Sequence, residues 1–147
     1  SAIAVTSRAV AQKSSIPALE GLLLHVDSGL TISGYNMQTG IRTKVSADVV
    51  SGGDIVLNAR LFGDIIRRMP DDVVTVSVDD RQTVHLSCGD ANFDILGLSA
   101  ADYPDLPEVE DEYAMSIQQK TLRAMIEEVA FAVSTKESRP VHTGALF

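Results

Sequence analysis

The chain has 147 residues, of which 45% are hydrophobic and 22% are charged, a composition typical of a globular protein with one domain or slightly more. Its formal net charge of −8, from 20 acidic and 12 basic residues, argues against a generic nucleic-acid binder, unless the basic residues gather on one face. No apolar run is long enough to span a bilayer and no basic-then-apolar leader is present, so we expect a cytoplasmic protein without a membrane anchor.

Six segments alternate apolar and polar residues with the period of a β-strand. In chain order they cover residues 21–27, 30–36, 41–49, 73–78, 83–88 and 92–98. Ser28-Gly29 predicts a tight turn between the first two strands. Cys88 alternates with Leu86, which predicts a small buried residue rather than a disulfide partner. A further short strand over residues 54–57 leads directly into a helical segment.

Three stretches have the periodicity of a helix instead. They are residues 1–11, 58–69 and 118–134. Asn58 is a candidate N-cap of the second helix, and Pro70 is predicted to end it. Because single helices are inserted among strands that follow one another through short turns, the pattern predicts an α+β fold with antiparallel sheets.

A linker is predicted before the third helix, where Pro104, Pro107 and the acidic run 108–112 interrupt both kinds of periodicity. We therefore place a domain boundary there. The expected first domain covers residues 1–111. The expected second domain begins at residue 112 and contributes a strand, a helix and a strand over residues 112–147.

An internal repeat supports this division. Sliding the chain by 123 positions aligns residues 9–24 with residues 132–147, and seven of the sixteen pairs are identical without a gap, among them Lys13 and Lys136. Both copies combine the end of a helix, a lysine-containing loop, a proline and an apolar strand. The repeat therefore predicts that the second domain is of the same kind as the first.

Three motifs follow one another along the chain. They are Lys-Ser-Ser-Ile-Pro at 13–17 leading to Gly-Leu-Leu-Leu at 21–24, Phe-Asp-Ile-Leu at 93–96 leading to Ala-Ala-Asp-Tyr-Pro at 100–104, and Ser-Arg-Pro-Val-His-Thr-Gly at 138–144. Together they resemble the bacterial DNA sliding clamp, the β subunit of DNA polymerase III. In that family three similar domains form a subunit, and two subunits close head-to-tail into a ring with helices inside and sheets outside. The resemblance implies an N-terminal fragment: one clamp domain with two inner helices, and the start of a second.

The resemblance also implies a function, that of a DNA polymerase processivity factor. Such a clamp encircles double-stranded DNA without sequence specificity. It tethers the catalytic subunit of DNA polymerase III and the clamp loader, which bind through short peptide motifs. A homodimer without enzymatic activity, cofactor or metal is implied. The residues alone leave two alternatives open: a protein-interaction module that never touches DNA, and a hydrolase whose site lies in residues outside this chain.

The helix over 58–69 carries the most distinctive basic face. Its apolar stripe leaves Arg60 and Arg67 two turns apart on the opposite side, with Arg68 beside them. Such a face can meet phosphates without reading bases, although ordinary solvated arginines would give the same pattern. The resemblance implies DNA contact here and at the loops of Lys13 and Lys136. The complete set of expected DNA contacts is Arg8, Lys13, Arg60, Arg67, Arg68, Arg123 and Lys136.

Two further surfaces are implied by the resemblance. Phe93 and Ile95 lie on one side of the strand over 92–98 and match the seam between subunits, although the sequence alone also allows a strand covered on both faces by its own domain. One wall of the family's peptide-binding groove is matched by Arg139, Pro140, Val141 and His142. Family members often carry a leucine where this chain has His142, and a purely structural loop is the alternative.

No catalytic or metal-binding constellation is predicted. His25, His85 and His142 occupy separate segments without a Cys or His partner at metal-ligand spacing. No glycine-rich loop of a phosphate-binding type is present. Acidic pairs such as Asp79-Asp80 fall in predicted turns, where aspartate is favoured for local hydrogen bonding. The sequence therefore favours binding over catalysis.

Overall fold

The structure is a computed structural model that describes residues 2–108, 114–136 and 138–146. The chain forms two compact units, residues 1–107 and residues 108–147. The boundary expected from the sequence, between residues 111 and 112, lies in a stretch outside the described residues.

The first unit contains two helices and seven strands in the described residues. Their bounds are α1 Ala2–Thr6, β1 Gly21–Val26, β2 Leu30–Tyr35, β3 Gly40–Val45, β4 Gly53–Asn58, α2 Ala59–Arg68, β5 Thr75–Val78, β6 Thr83–Cys88 and β7 Ala91–Leu96. One-turn 3-10 segments cover Ser7–Ala9, Pro17–Glu20 and Ala100–Asp102. The predicted α+β fold with antiparallel sheets is confirmed.

Two antiparallel sheets make up this unit. The first has the strand order β3-β2-β1-β4 and the second has the order β5-β6-β7. A short bridge connects β4 to the segment after β7: the Val56 amide donates to the Leu98 carbonyl at 3.0 Å, and the Leu98 amide donates to the Val56 carbonyl at 2.8 Å. The two sheets are therefore joined by backbone hydrogen bonds as well as by their shared core.

The main core is built from alternate residues of both sheets and from one stripe of α2. Its buried members are Leu22, Leu24, Ile32, Ile55, Leu57, Ala59, Phe62, Ile65, Met69, Val84, Leu86, Cys88 and Ile95. Val56 points to the other face of the first sheet and packs there with Leu19 and Tyr103 in a smaller cluster. Cys88 is buried as predicted. Amphipathic periodicity thus translates directly into burial, because alternate strand residues face opposite sides.

Local chemistry fixes both helices of the first unit. Asn58 caps α2, since its side-chain oxygen accepts a hydrogen bond from the Leu61 amide at 2.9 Å. The backbone of α1 lies directly against β2, where a side chain at Gly34 would overlap the Thr6 carbonyl oxygen. Thr6 itself is fully buried, and its hydroxyl donates to the Ala2 carbonyl at 2.7 Å. A glycine in β2 therefore allows the close approach of α1.

Three strand boundaries differ from those predicted by two residues or more. β3 ends at Val45 instead of residue 49, and β5 begins at Thr75 instead of residue 73. β7 ends at Leu96 because the next partner on β6, Gln82, already belongs to the turn: its amide donates to the Asp79 carbonyl at 3.0 Å and no longer to β7. In each case the alternation of apolar residues continues further than the pairing partner does. The alternation of apolar residues indicates which side of a segment is buried, whereas a β-strand also requires a neighbouring strand with which to form hydrogen bonds.

The second unit contains α3, Gln119–Val129, followed by 3-10 segments at Ala130–Ala132 and Pro140–Thr143. The helix is confirmed, with a shorter extent than the predicted 118–134. The two flanking strands are not found in residues 114–136 and 138–146. An extended segment needs a paired neighbour, and these residues supply none.

Candidate nucleic-acid interface

Charge is distributed very unevenly along the chain. Residues 70–112 hold twelve of the 20 acidic residues and a single basic residue, Arg81. The helix α2 instead holds three arginines and one aspartate. The acidic balance of the whole chain therefore comes mainly from the β5–β7 hairpins and the segment after them, while α2 is locally basic.

The arginines of α2 lie on its exposed side, as the periodicity predicts. Phe62 and Ile65 are buried, while Arg60, Arg67 and Arg68 are exposed. Arg60 and Arg67 line a groove of about 820 Å³ between α1 and α2, whose apolar lining includes Ile3, Val10 and Ile66. The helix thus presents guanidinium groups on one side while its opposite side packs into the core.

One contact on this face was not predicted. The Arg67 guanidinium donates to a carboxylate oxygen of Asp64 at 3.1 Å, one helical turn away. Asp64 also lies four residues after Arg60, so it stands between the two arginines on one stripe of α2. The spacing of three and four residues is the signal in the sequence that could have indicated this pairing.

Lys13 is exposed in a loop that the backbone holds closed. The Ala11 amide donates to the Leu19 carbonyl at 3.0 Å, which ties the two ends of the loop together. The Ser14 amide donates to a Glu20 carboxylate oxygen at 3.0 Å. These bonds give the loop a defined shape beside the groove, which Glu20 also lines.

The loop of Lys136 repeats this arrangement in the second unit. The Ser134 amide donates to the His142 carbonyl at 2.8 Å, and these two residues lie 123 positions after Ala11 and Leu19. The 3-10 segments before and after the loop are displaced by the same 123 positions. The internal repeat found in the sequence therefore extends to backbone hydrogen bonding, and both lysines occupy equivalent, exposed positions.

The remaining candidate contacts are exposed but less distinctive. Arg8 lies on the 3-10 segment that follows α1. Arg123 lies on α3 and donates to a Glu127 carboxylate oxygen at 2.8 Å. An acidic residue therefore shares the surface of Arg123.

The four residues matched to the peptide groove form one exposed 3-10 turn. The His142 amide donates to the Arg139 carbonyl at 3.0 Å, with Pro140 at the first position of the turn. Val141 is 88% exposed. An exposed apolar side chain therefore lies between Arg139 and His142 on this turn.

The two residues matched to the subunit seam have different environments. Ile95 is only 7% exposed and belongs to the core of its own domain. The expectation that Ile95 lies on an exposed seam is therefore corrected. Its side chain faces inward beside Val84, its cross-strand partner on β6. Phe93 is 37% exposed at the margin of that face, and Leu96 and Leu98 are more exposed still. Sequence reasoning could not separate these residues, because both sides of β7 are apolar.

A histidine cluster occupies the outer face of β6. His85 Nδ1 lies 2.6 Å from a carboxylate oxygen of Asp94 on β7, and Nε2 lies 3.8 Å from Asp79. The hydrogen bond to Asp94 raises the pKa of His85 above its ordinary value. Over the described ranges, no three His, Cys, Asp or Glu side chains are arranged to hold a metal ion.

Among the residues whose structure is described, no helix has both the length and the apolar character to cross a membrane.

The first unit, with two antiparallel sheets and one basic helix, has the arrangement of a DNA-clamp fold, and comparisons with known proteins identify the family. Residues 1–107 match the family described as "DNA polymerase III beta subunit, N-terminal domain". A beta sliding clamp of Halalkalibacterium halodurans is 33% identical over 96% of this chain, and one of Synechocystis is 33% identical over 98%. The chain belongs to the bacterial beta sliding clamp family. It spans about 40% of the length of these relatives.

Solved structures of clamps share the fold. The beta subunit from the DNA polymerase of Streptococcus pyogenes has a TM-score of 0.88 and 34% identity, covering 95% of this chain and 38% of that one. A putative DNA polymerase III beta subunit from Eubacterium rectale has a TM-score of 0.93 and 28% identity, covering 97% of this chain and 40% of that one. The sliding-clamp fold expected from the three motifs is therefore confirmed.

Proposed function

We propose that this chain is the N-terminal part of a ring-shaped processivity factor that encircles duplex DNA and tethers the replicative polymerase. In this proposal residues 1–111 are the first clamp domain, and residues 112–147 begin the second. The observation that carries it is the contrast between the basic face of α2 and the acidic β5–β7 region. An acidic outer region of turns and loops, together with a basic inner helix α2, reconciles a net charge of −8 with a DNA partner.

The proposed mechanism is electrostatic and sequence-independent. Arginines and lysines on α2 and on the two equivalent loops meet phosphate oxygens, which carry no sequence information. A ring held in this way can move along the duplex, because every register offers the same phosphates. No chemical step is involved, so the protein is a non-enzymatic tether without a cofactor.

The proposed partners are double-stranded DNA, a second subunit, the catalytic subunit of DNA polymerase III and the clamp loader. Short peptide motifs of the last two would dock against Arg139, Val141 and His142, with the cytoplasm as the compartment. Arg139→Ala in the full-length subunit should weaken binding of a clamp-binding peptide, measured by fluorescence anisotropy, and leave DNA retention unchanged. Unaltered peptide affinity in a folded variant would remove this turn from the groove.

A retention experiment distinguishes a ring from a basic patch. The full-length subunit is loaded onto nicked circular DNA, and the salt concentration is then raised. Direct phosphate contacts weaken with a log–log slope of about 0.9 per contact, whereas a closed ring stays on a circle at any salt that leaves its seam intact. We expect retention on circular DNA and release once the circle is cut.

Equal loss from circular and linear DNA would contradict encirclement. It would favour a protein-interaction module that does not bind DNA, for which the acidic overall charge is the supporting observation. Arg60→Gln with Arg67→Gln provides the matched test of contact. The double variant should bind linear duplexes more weakly at low salt, yet remain on circular DNA.

A further inference from the structure

The basic face of α2 contains its own counter-charge. Arg60, Asp64 and Arg67 follow one stripe of the helix at spacings of four and three residues. Asp64 accepts a hydrogen bond from Arg67 at 3.1 Å, with 76% of the arginine side chain and 40% of the aspartate side chain exposed. A phosphate that approaches Arg67 must displace or adjoin this carboxylate.

The helix of the second unit repeats this pattern along one stripe. Lys120, Arg123 and Glu127 follow one stripe of α3, and Arg123 donates to Glu127 at 2.8 Å. Both side chains of this pair are well exposed, at 77% and 62%. Along one stripe, each of these two helices therefore combines two cations with one carboxylate that is already bonded to an arginine.

Exposed pairs of this kind add little to folding stability. On a face that meets DNA, such pairs instead affect the binding of phosphates. A carboxylate beside an arginine lowers the local positive potential and repels phosphate oxygens. It also keeps the guanidinium partly engaged, so that a phosphate gains less from bonding to it.

We propose that Asp64 and Glu127 weaken the hold on DNA, so that an encircling subunit slides along the duplex instead of binding it in place. The inference rests on the proposed function and deepens it. Topological closure retains the DNA, and the helices need only guide it. Weak contacts lower the barrier between successive phosphate registers.

The test uses the full-length subunit with Asp64→Asn and, separately, Glu127→Gln. Each change removes one negative charge and keeps the size of the side chain. Asp80→Asn, on the exposed turn between β5 and β6, is the control with the same charge change. Asp64→Glu is the conservative variant that restores the charge.

Two quantities are measured for each variant: the affinity for a short fluorescent duplex over a series of salt concentrations, and the diffusion coefficient of loaded clamps on stretched DNA. Asp64→Asn and Glu127→Gln should each raise the affinity about threefold, in proportion to the energy of an exposed charge pair, and should slow sliding. Asp80→Asn and Asp64→Glu should behave as the unmodified protein does.

An Asp64→Asn variant that matches Asp80→Asn in affinity, salt dependence and diffusion overturns the inference. The Arg67→Gln variant distinguishes a failure of the inference about Asp64 from a failure of the proposed DNA contact at α2. If it weakens DNA binding while Asp64→Asn has no effect, the proposed function stands and the role of Asp64 is wrong. If neither changes DNA binding, α2 is not a contact surface and the inference fails with it.

Discussion

His85 is held between two carboxylates on the outer face of β6, and its protonation is therefore linked to folding. The hydrogen bond to Asp94 raises its pKa above the ordinary 6.5, and the nearby Asp79 acts in the same direction. A raised pKa in the folded state means that the stabilisation is fully present below pH 6.5. It is lost as the pH rises through the folded value.

We predict that His85→Gln lowers the thermal unfolding midpoint more at about pH 5.5 than at about pH 8.5, because the imidazolium is the form that the two aspartates stabilise. Differential scanning fluorimetry of both proteins at the two pH values measures the difference. Asp94→Asn should lessen it, since the strongest partner is then neutral. An equal decrease in the midpoint at both pH values would show that the cluster is not linked to protonation.

The β5–β6 hairpin shows how one turn is specified at the level of an element. The Asp79 carboxylate accepts hydrogen bonds from the Arg81 amide at 2.9 Å and the Thr83 amide at 2.8 Å. Gln82 adopts a left-handed conformation with φ of 63°, which is unfavourable for a residue with a side chain. The aspartate and the hairpin pairing therefore hold a strained residue in place.

We predict that Gln82→Gly stabilises the first unit by about 0.5 kcal/mol, because glycine relieves the left-handed strain. The greater conformational entropy of glycine in the unfolded chain offsets part of this stabilisation. Arg81→Gly is the matched control in the same turn, at a residue without positive φ. It should destabilise the protein by about 0.5–1 kcal/mol. Urea unfolding of the three proteins gives the comparison, and a destabilising Gln82→Gly would contradict the strain argument.

At the scale of the whole molecule, the proposed seam between subunits can be tested at Phe93. We predict that Phe93→Asp in the full-length subunit converts a dimer to a monomer, because the side chain is 37% exposed and a carboxylate there would be desolvated by a partner. Analytical ultracentrifugation measures the change. Val50→Asp, at a fully exposed apolar position, is the control that should stay dimeric.

For Ile95, on the same strand, we expect a substitution to affect folding instead of dimer formation. Ile95→Asp would bury an unpaired carboxylate in the core and should unfold the first unit. Phe93→Asp should leave the fold intact, as judged by circular dichroism. A Phe93→Asp variant that is folded and still dimeric would exclude this margin of β7 from the seam.

At this scale the sequence predicted the fold class, the extent of α2 and of most strands of the first unit, and the repeat at 123 positions, whereas the helices predicted over 1–11 and 118–134 are shorter, at Ala2–Thr6 and Gln119–Val129. It could do so because periodicity, caps and turns are local properties: Asn58, Pro70 and the alternation through Cys88 act within a few residues. The motifs that resemble sliding clamps added the arrangement of the two sheets, which no local pattern contains.

Other features required the tertiary structure. The sequence could not tell that Ile95 faces the core while Phe93 lies at its margin, because both alternate on the same side of an apolar strand. Nor could it tell that β3 stops at Val45, since a strand ends where its partner ends. The closure of the lysine loops by a repeated backbone hydrogen bond was equally invisible. The local pattern of apolar residues determines which side chains favour burial, and only the packing of distant segments decides which of them are buried.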